Sequence, residues 1–90
     1  MNERNDSQIS PETPTYRVDP LRDRLLPLRK LGSWHKDRTG ESLHRSVPYR
    51  WAQIGVGGIR LPTVRLGGTR YTSEEAIAWW TAAINGGASA

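Results

Sequence analysis

Residues 43–71 read LHRSVPYRWAQIGVGGIRLPTVRLGGTRY, and the fold turns on this stretch. It holds five arginines, Arg45, Arg50, Arg60, Arg65 and Arg70, and no acidic residue. Its second half reads as a β-hairpin. Residues 59–66 are rich in branched apolar side chains, Gly67-Gly68 is a strong two-residue turn signal, and residues 69–72 return. Closing the turn there pairs Leu66 with Thr69, Arg65 with Arg70 and Val64 with Tyr71. Alternation then sends Val64, Leu66 and Tyr71 to one face and the two arginines to the other. Like charges directly opposite each other destabilise a free hairpin. A polyanion against that face would turn the repulsion into attraction.

The first half reads as a helix running from His44 or Ser46 to Ile54. Either residue can cap it, and Pro48 is tolerated only in the first turn, which pins the start nearby. Val47, Trp51 and Ile54 fall on one stripe and are expected to be buried. Arg45, Ser46, Tyr49, Arg50 and Gln53 remain for other faces, the side chains a recognition helix offers to base edges and phosphates. An amphipathic helix with an ordinary polar side explains the same pattern. Gly55, Gly57 and Gly58 end the helix and allow a tight reversal. A P-loop is ruled out because its Gly-Lys-Ser/Thr ending is missing.

Outward from this centre the chain reads as support. Residues 1–18 are polar, mixed in charge and broken by Pro11 and Pro14, the signature of a disordered tail. Asp19-Pro20 opens a helix, Leu21 and Leu25 sit one turn apart, and Pro27 stops or kinks it. With a second start through Leu28 and Leu31, this region is taken as the first helix, in one or two pieces. Residues 35–42, HKDRTGES, read as a polar linker in which Asp37 and Glu41 cancel Lys36 and Arg38. Thr72-Ser-Glu-Glu75 reads as a capping box, followed by a scaffold helix over residues 73–84. That helix is expected to bury Ile77, Trp80 and Ile84. Residues 86–90 are expected to fray. The fold class expected is therefore α+β: a small winged helix-turn-helix over residues 19–85, about three helices plus a hairpin wing over 59–72.

Charge narrows the function. Ninety residues carry 13 Lys and Arg against nine Asp and Glu, a net of +4, and eleven of the thirteen are Arg. Residues 29–70 hold nine basic and two acidic groups, hence +7, while 1–28 and 71–90 are slightly acidic. This concentration is the footprint of a polyanion binder. No cysteine is present, which removes disulfides and zinc-thiolate sites and fits a reducing cytoplasm. No apolar run is long enough for a membrane span. His35 and His44 lack ligand spacing, and no nucleophile has an orienting acid, so neither an enzyme nor a cofactor is expected.

At SVPYRWAQ (46–53) and LPTVRLGGTRYTSEEAIAWW (61–80) the chain resembles the excisionase-like, MerR-type winged helix proteins. The matching positions are Tyr49, Arg50 and Trp51, then Leu61, Pro62, Val64, Arg65, Gly67 and Arg70, then Glu74 and Glu75. It is similar, more closely still, to a small family of planctomycete proteins sharing the pattern HRS…YRWA…VRLGGTR…TSEEA. The resemblance covers about residues 26–82. The sequence departs from the pattern in its longer connection over 35–42, in Pro48 and in residues 55–59 before the wing. The resemblance implies DNA binding by Arg45, Tyr49 and Arg50 in the major groove, with Arg65 and Arg70 on the backbone or minor groove. It also implies either an architectural role beside a recombinase or transcriptional regulation. The expected partners are double-stranded DNA, a recombinase or other DNA-bound protein, and further copies of the chain binding cooperatively at the nucleoid. A protein-interaction module on the same scaffold is the rival reading, and RNA binding a weaker one because the aromatics seem committed to the core.

Overall fold

The computed structural model describes residues 16–86. In chain order they form β1 (Leu25–Pro27), a 3-10 turn (Leu28–Lys30), α1 (Leu31–Thr39), α2 (Val47–Gln53), β2 (Val64–Leu66), β3 (Thr69–Ser73) and α3 (Glu74–Ile84). Three helices thus pack with one antiparallel sheet of order β1-β3-β2, an α+β fold compatible with a winged helix. The hairpin has the register read from sequence: Val64 opposite Tyr71, Arg65 opposite Arg70, Leu66 opposite Thr69. Gly67 sits first in the turn with φ of 59°, the position where a type II′ turn needs glycine.

The N-terminal part differs from the sequence reading. Asp19-Pro20 starts only one turn, with Asp19 Oδ1 accepting from the Leu21 N–H at 2.9 Å and Asp19 O accepting from Asp23. The chain then extends as β1, pairing Leu25, Leu26 and Pro27 with Ser73, Thr72 and Tyr71. Long-range bonds win over local propensity here. The Arg24 N–H donates to Glu75 Oε1 at 2.9 Å, and Arg24 O accepts from the Glu74 N–H at 3.1 Å. No helix can form through a residue whose backbone is used this way. The α1 helix begins at Leu31 and runs through most of the segment read as a linker. It ends at Gly40, whose N–H closes on Lys36 O at 2.8 Å.

Two further details shift. Ser73, not Thr72, caps α3: its Oγ accepts from the Ala76 N–H at 2.9 Å. Thr72 is fully buried in β3 and donates its hydroxyl to Pro62 O at 2.9 Å. Ile54, expected in the core, is 67% exposed, and Pro48 is the buried residue of α2. The proline ring takes the inward place because α2 is only seven residues long and Ile54 lies past its end.

The core is Leu28, Leu31, Leu61 and Trp80, flanked by Leu26, Trp34, Trp51, Ile59, Ile77, Trp79 and Ile84. Trp51 and Trp80 tilt against each other at 4.9 Å between ring centroids. Between α2 and β2 the chain makes a small reversal in which Val56 and Ile59 exchange both backbone hydrogen bonds at 3.0 Å. Gly55 is obligatory at its entrance. Its φ is 88°, and a Cβ there would stand 2.4 Å from Ile59 O.

Most of the expected tail, residues 1–15, lies outside the described residues, as do residues 87–90. Its last residues are packed: Val18 is buried, and Tyr16 stacks on Trp79 at 6.5 Å and donates to Asp23 Oδ2 at 2.7 Å. Asp23 Oδ2 also accepts from the Ser73 hydroxyl at 2.8 Å. The hydrogen bond to Asp23 pushes the Tyr16 phenol up to about 12. Desolvation tends to raise the Asp23 carboxyl, but hydrogen bonds from Tyr16, Ser73 and the Asp19 backbone outweigh it and hold it below its ordinary value. Glu75 is lowered too, first by the Arg24 backbone N–H.

Both carboxylates are therefore depressed in the folded state. Their stabilisation is present above the ordinary values of 3.8 and 4.5 and is lost as pH falls through the lower folded values. The melting temperature, followed by circular dichroism from neutral pH into the acid range, should fall in that window. In an Asp23→Asn/Glu75→Gln variant it should start lower at neutral pH and fall less. An equal acid slope in the variant would show that other groups control acid unfolding.

Candidate nucleic-acid interface

The α2 helix presents Tyr49, Arg50 and Gln53 to solvent while Pro48, Val47, Trp51 and Ala52 turn inward. Its entry is held by His44, whose Nδ1 accepts from the Ser46 N–H at 3.1 Å and lies 2.8 Å from Ser46 Oγ. That backbone donor leaves Nδ1 as the acceptor of the ring. Ser46 occupies the N-cap position, yet its side chain makes no cap hydrogen bond to the helix. Leu61 N–H donates to Trp51 O at 3.0 Å, tying the start of the wing segment to α2.

Between α2 and the wing lies an open cleft of about 350 Å³. Tyr49 and Gln53, one turn apart, form one wall, and Arg65, Thr69 and Arg70 of the hairpin form the other. Arg29, from the 3-10 turn before α1, closes it. No acidic side chain lines it. Two of the side chains expected on the recognition helix, Tyr49 and Gln53, and the two wing arginines thus line one opening.

The other expected site residues fall around it. Arg45 lines a second cleft of about 280 Å³, between α1 and α2, which Arg29 also lines together with Lys36. Arg50 and Arg60 are exposed but border neither cleft, and Ser46 serves the turn before α2. Arg29 and Lys36 were not singled out by the sequence. Arg29 lies twenty residues from Tyr49, and only the 3-10 turn brings it across. Lys36 was discounted because Asp37 and Glu41 seemed to neutralise the segment, but neither acid pairs with it.

Ion pairing separates the cations into two sets. Arg24 bonds Glu74 and Glu75 at 3.6 and 3.3 Å, Arg38 approaches Glu74 at 3.8 Å, and Arg22 pairs with Asp19. Arg38 also covers the Trp34 ring at 4.6 Å, and Trp34 Nε1 donates to Glu74 Oε2. Among the described residues, Arg29, Lys36, Arg45, Arg50, Arg60, Arg65 and Arg70 form no ion pair. Arg17 and Lys30 form none either, but most of the charge that folding leaves uncompensated lies around α1, α2 and the wing. No group of three or more potential metal ligands is found among the described residues, and no helix there is long and apolar enough to cross a membrane.

Residues 31–85 match the family described as "Protein of unknown function (DUF1580)". The chain belongs to the DUF1580 family. The DUF1580 span opens on Leu31, the first residue of α1, and closes on Asn85 at the C-cap of α3, so it takes in all three helices and the hairpin. Every residue lining the α2–wing cleft lies inside it except Arg29. No curated protein and no solved structure matches the chain.

Proposed function

We propose that this DUF1580 protein is a non-catalytic binder of double-stranded DNA. The observation that carries the reading is the acid-free cleft joining Tyr49 and Gln53 of α2 to Arg65 and Arg70 of the wing, with Arg29 closing it. A helix with its side chains is about 10–12 Å across and a B-DNA major groove is about 12 Å wide, so α2 can enter it. Gln53 is suited to the paired donor and acceptor of an adenine edge, and Arg50 to guanine. The wing arginines then fall on the backbone or in the neighbouring minor groove. The resemblance to excisionase-like and MerR-type proteins supports the same reading and suggests either a DNA-bending factor beside a recombinase or a small transcriptional regulator. Copies bound cooperatively at the nucleoid would offset the weak grip of a single small domain.

Fluorescence anisotropy with random-sequence duplex across a salt series tests the proposal. Binding should be readily measured at low salt and weaken steeply as salt rises, because each phosphate contact contributes about 0.9 to the slope of log K against log salt. A folded protein that fails to bind at low salt would overturn the proposal and favour a protein-interaction module on this scaffold.

A further inference from the structure

A second basic cleft adjoins the first. Arg29, Ser33 and Lys36 are spaced four and three residues apart, so they share one face of the 3-10 turn and α1. Opposite them, across a space of about 280 Å³, stand Arg45 and Ser42 of the loop before α2. No acidic side chain lines this space, and its three cations form no ion pair among the described residues. Three unpaired cations held around one opening repel one another, and nothing in the fold compensates them. Two hydroxyls beside them add donors of the kind that accompany phosphate contacts.

The position of this cleft gives its occupant. Arg29 belongs to both openings, and Arg45, Tyr49 and Gln53 follow at four-residue spacing from one to the other. The wing cleft runs along α2 from Tyr49 to Gln53 on the side of the hairpin, and the α1 cleft lies on the side of α1, against Arg45 and Pro48 at the N-terminal end of α2. A helix seated in a groove about 12 Å wide has a phosphate backbone on either side of it. From this continuity and charge, and resting on the proposed duplex binding, we infer that Arg29, Lys36 and Arg45 form a second phosphate clamp. It grips the strand on the other rim of the major groove from the one held by Arg65 and Arg70. The protein then reads a duplex by spanning its two backbones, with Arg29 joining the two grips.

Lys36→Ala/Arg45→Ala, compared with wild type and with Arg65→Ala/Arg70→Ala, tests the clamp. Lys36 and Arg45 are exposed and make no side-chain bond, so the variant should melt as wild type does. Its salt slope on duplex DNA should fall by about 1.8, and combining the two pairs of changes should add their losses. Phosphate-ethylation interference on wild type should show two clusters on opposite strands flanking one major groove, of which Lys36→Ala/Arg45→Ala loses one. An unmoved slope, or a single cluster that persists in the variant, would overturn the second clamp while leaving duplex binding in place. Failure of the folded wild type to bind duplex at all would remove both.

Discussion

Alanine at Arg29, Arg65 and Arg70 together is expected to lower the salt slope of duplex binding by nearly three and to leave the fold intact. The three side chains enclose the cleft beside α2, none is ion-paired among the described residues, and each should release about one counterion's worth of slope on meeting a phosphate. Affinity should therefore fall most at low salt, and wild type and variant should converge as salt rises. Stability should move little or upward. Arg65 and Arg70 are direct cross-strand partners, and removing facing like charges relieves a repulsion of about 0.2–1 kcal/mol. A hairpin that carries this repulsion in the free protein would gain from an anion, as the proposed phosphate contact requires. Arg24→Ala and Arg38→Ala serve as controls, because their guanidinium groups already face Glu74 and Glu75. They should keep the wild-type slope. Equal slope losses in the controls would mean that total charge, rather than the cleft, governs binding.

How far the sequence discloses this arrangement depends on the range of the interactions that build each part. The hairpin's register is legible to the residue because its signals are local: Gly67-Gly68 fixes the turn and the turn fixes the pairing, while the first strand, expected from residue 59, is only Val64–Leu66 because Ile59 bonds back to Val56 instead. The α2 helix is legible at its start because Pro48 is confined to the first turn, but not at its end. Ile54 falls at the right spacing for burial, yet the helix has stopped at Gln53 and the side chain points to solvent. The N-terminal segment misleads for the opposite reason. Asp19-Pro20 is a genuine turn-starting signal, but β1 exists because β3 has an open edge and because Glu74 and Glu75 occupy the backbone of Arg24. Nothing near residue 24 announces partners fifty residues away. A separation of twenty residues likewise hides Arg29 from the site. Its charge is visible in the sequence, while its place beside Tyr49 and Arg70 follows from a 3-10 turn that no periodicity marks.

The charge pattern shows why stability and binding can be separated here. All the described ion pairs draw on residues 19–24, Arg38 and the acidic start of α3: Arg24 ties the N-terminal segment to the scaffold helix, Arg38 ties α1 to it, and Arg22 pairs locally with Asp19. Apart from Arg17, the cations left over belong to the turn before α1, to α1, to α2 and the loop before it, and to the wing and the connection leading into it. Mutating the first set should loosen the fold, and mutating the second should weaken the contact with DNA.

Trp80→Ala should lower the urea midpoint steeply, whereas Trp80→Phe should stay close to wild type in stability and bind DNA less tightly with an unchanged salt slope. Trp80 is 4% exposed and packs against Trp51, so truncation to alanine removes the centre of the core at a cost of about 3–5 kcal/mol. A domain of this size has about 4–10 kcal/mol in total at 0.05–0.15 kcal/mol per residue, so the truncation removes a large share of it and the urea midpoint should fall steeply. Phenylalanine retains most of the packing but loses the indole N–H, which donates to Ile59 O at 2.8 Å. That carbonyl also accepts from the Val56 N–H at 3.0 Å, so it is not left unpaired, and the loss of the bond costs only about 0.5–1.5 kcal/mol. The larger consequence is positional. Ile59 O is the point at which α3 holds the short connection between α2 and the wing, and it is also the atom that Gly55 must approach without a side chain. Freed from Trp80, the wing can shift relative to Tyr49 and Gln53 while carrying the same arginines, which lowers affinity without changing the number of phosphate contacts. Urea denaturation followed by circular dichroism checks the stability half of this expectation, and the duplex salt series checks the other. A cooperative transition near the wild-type midpoint in Trp80→Ala would contradict the core assignment, and wild-type affinity in Trp80→Phe would show that the wing is held by other means.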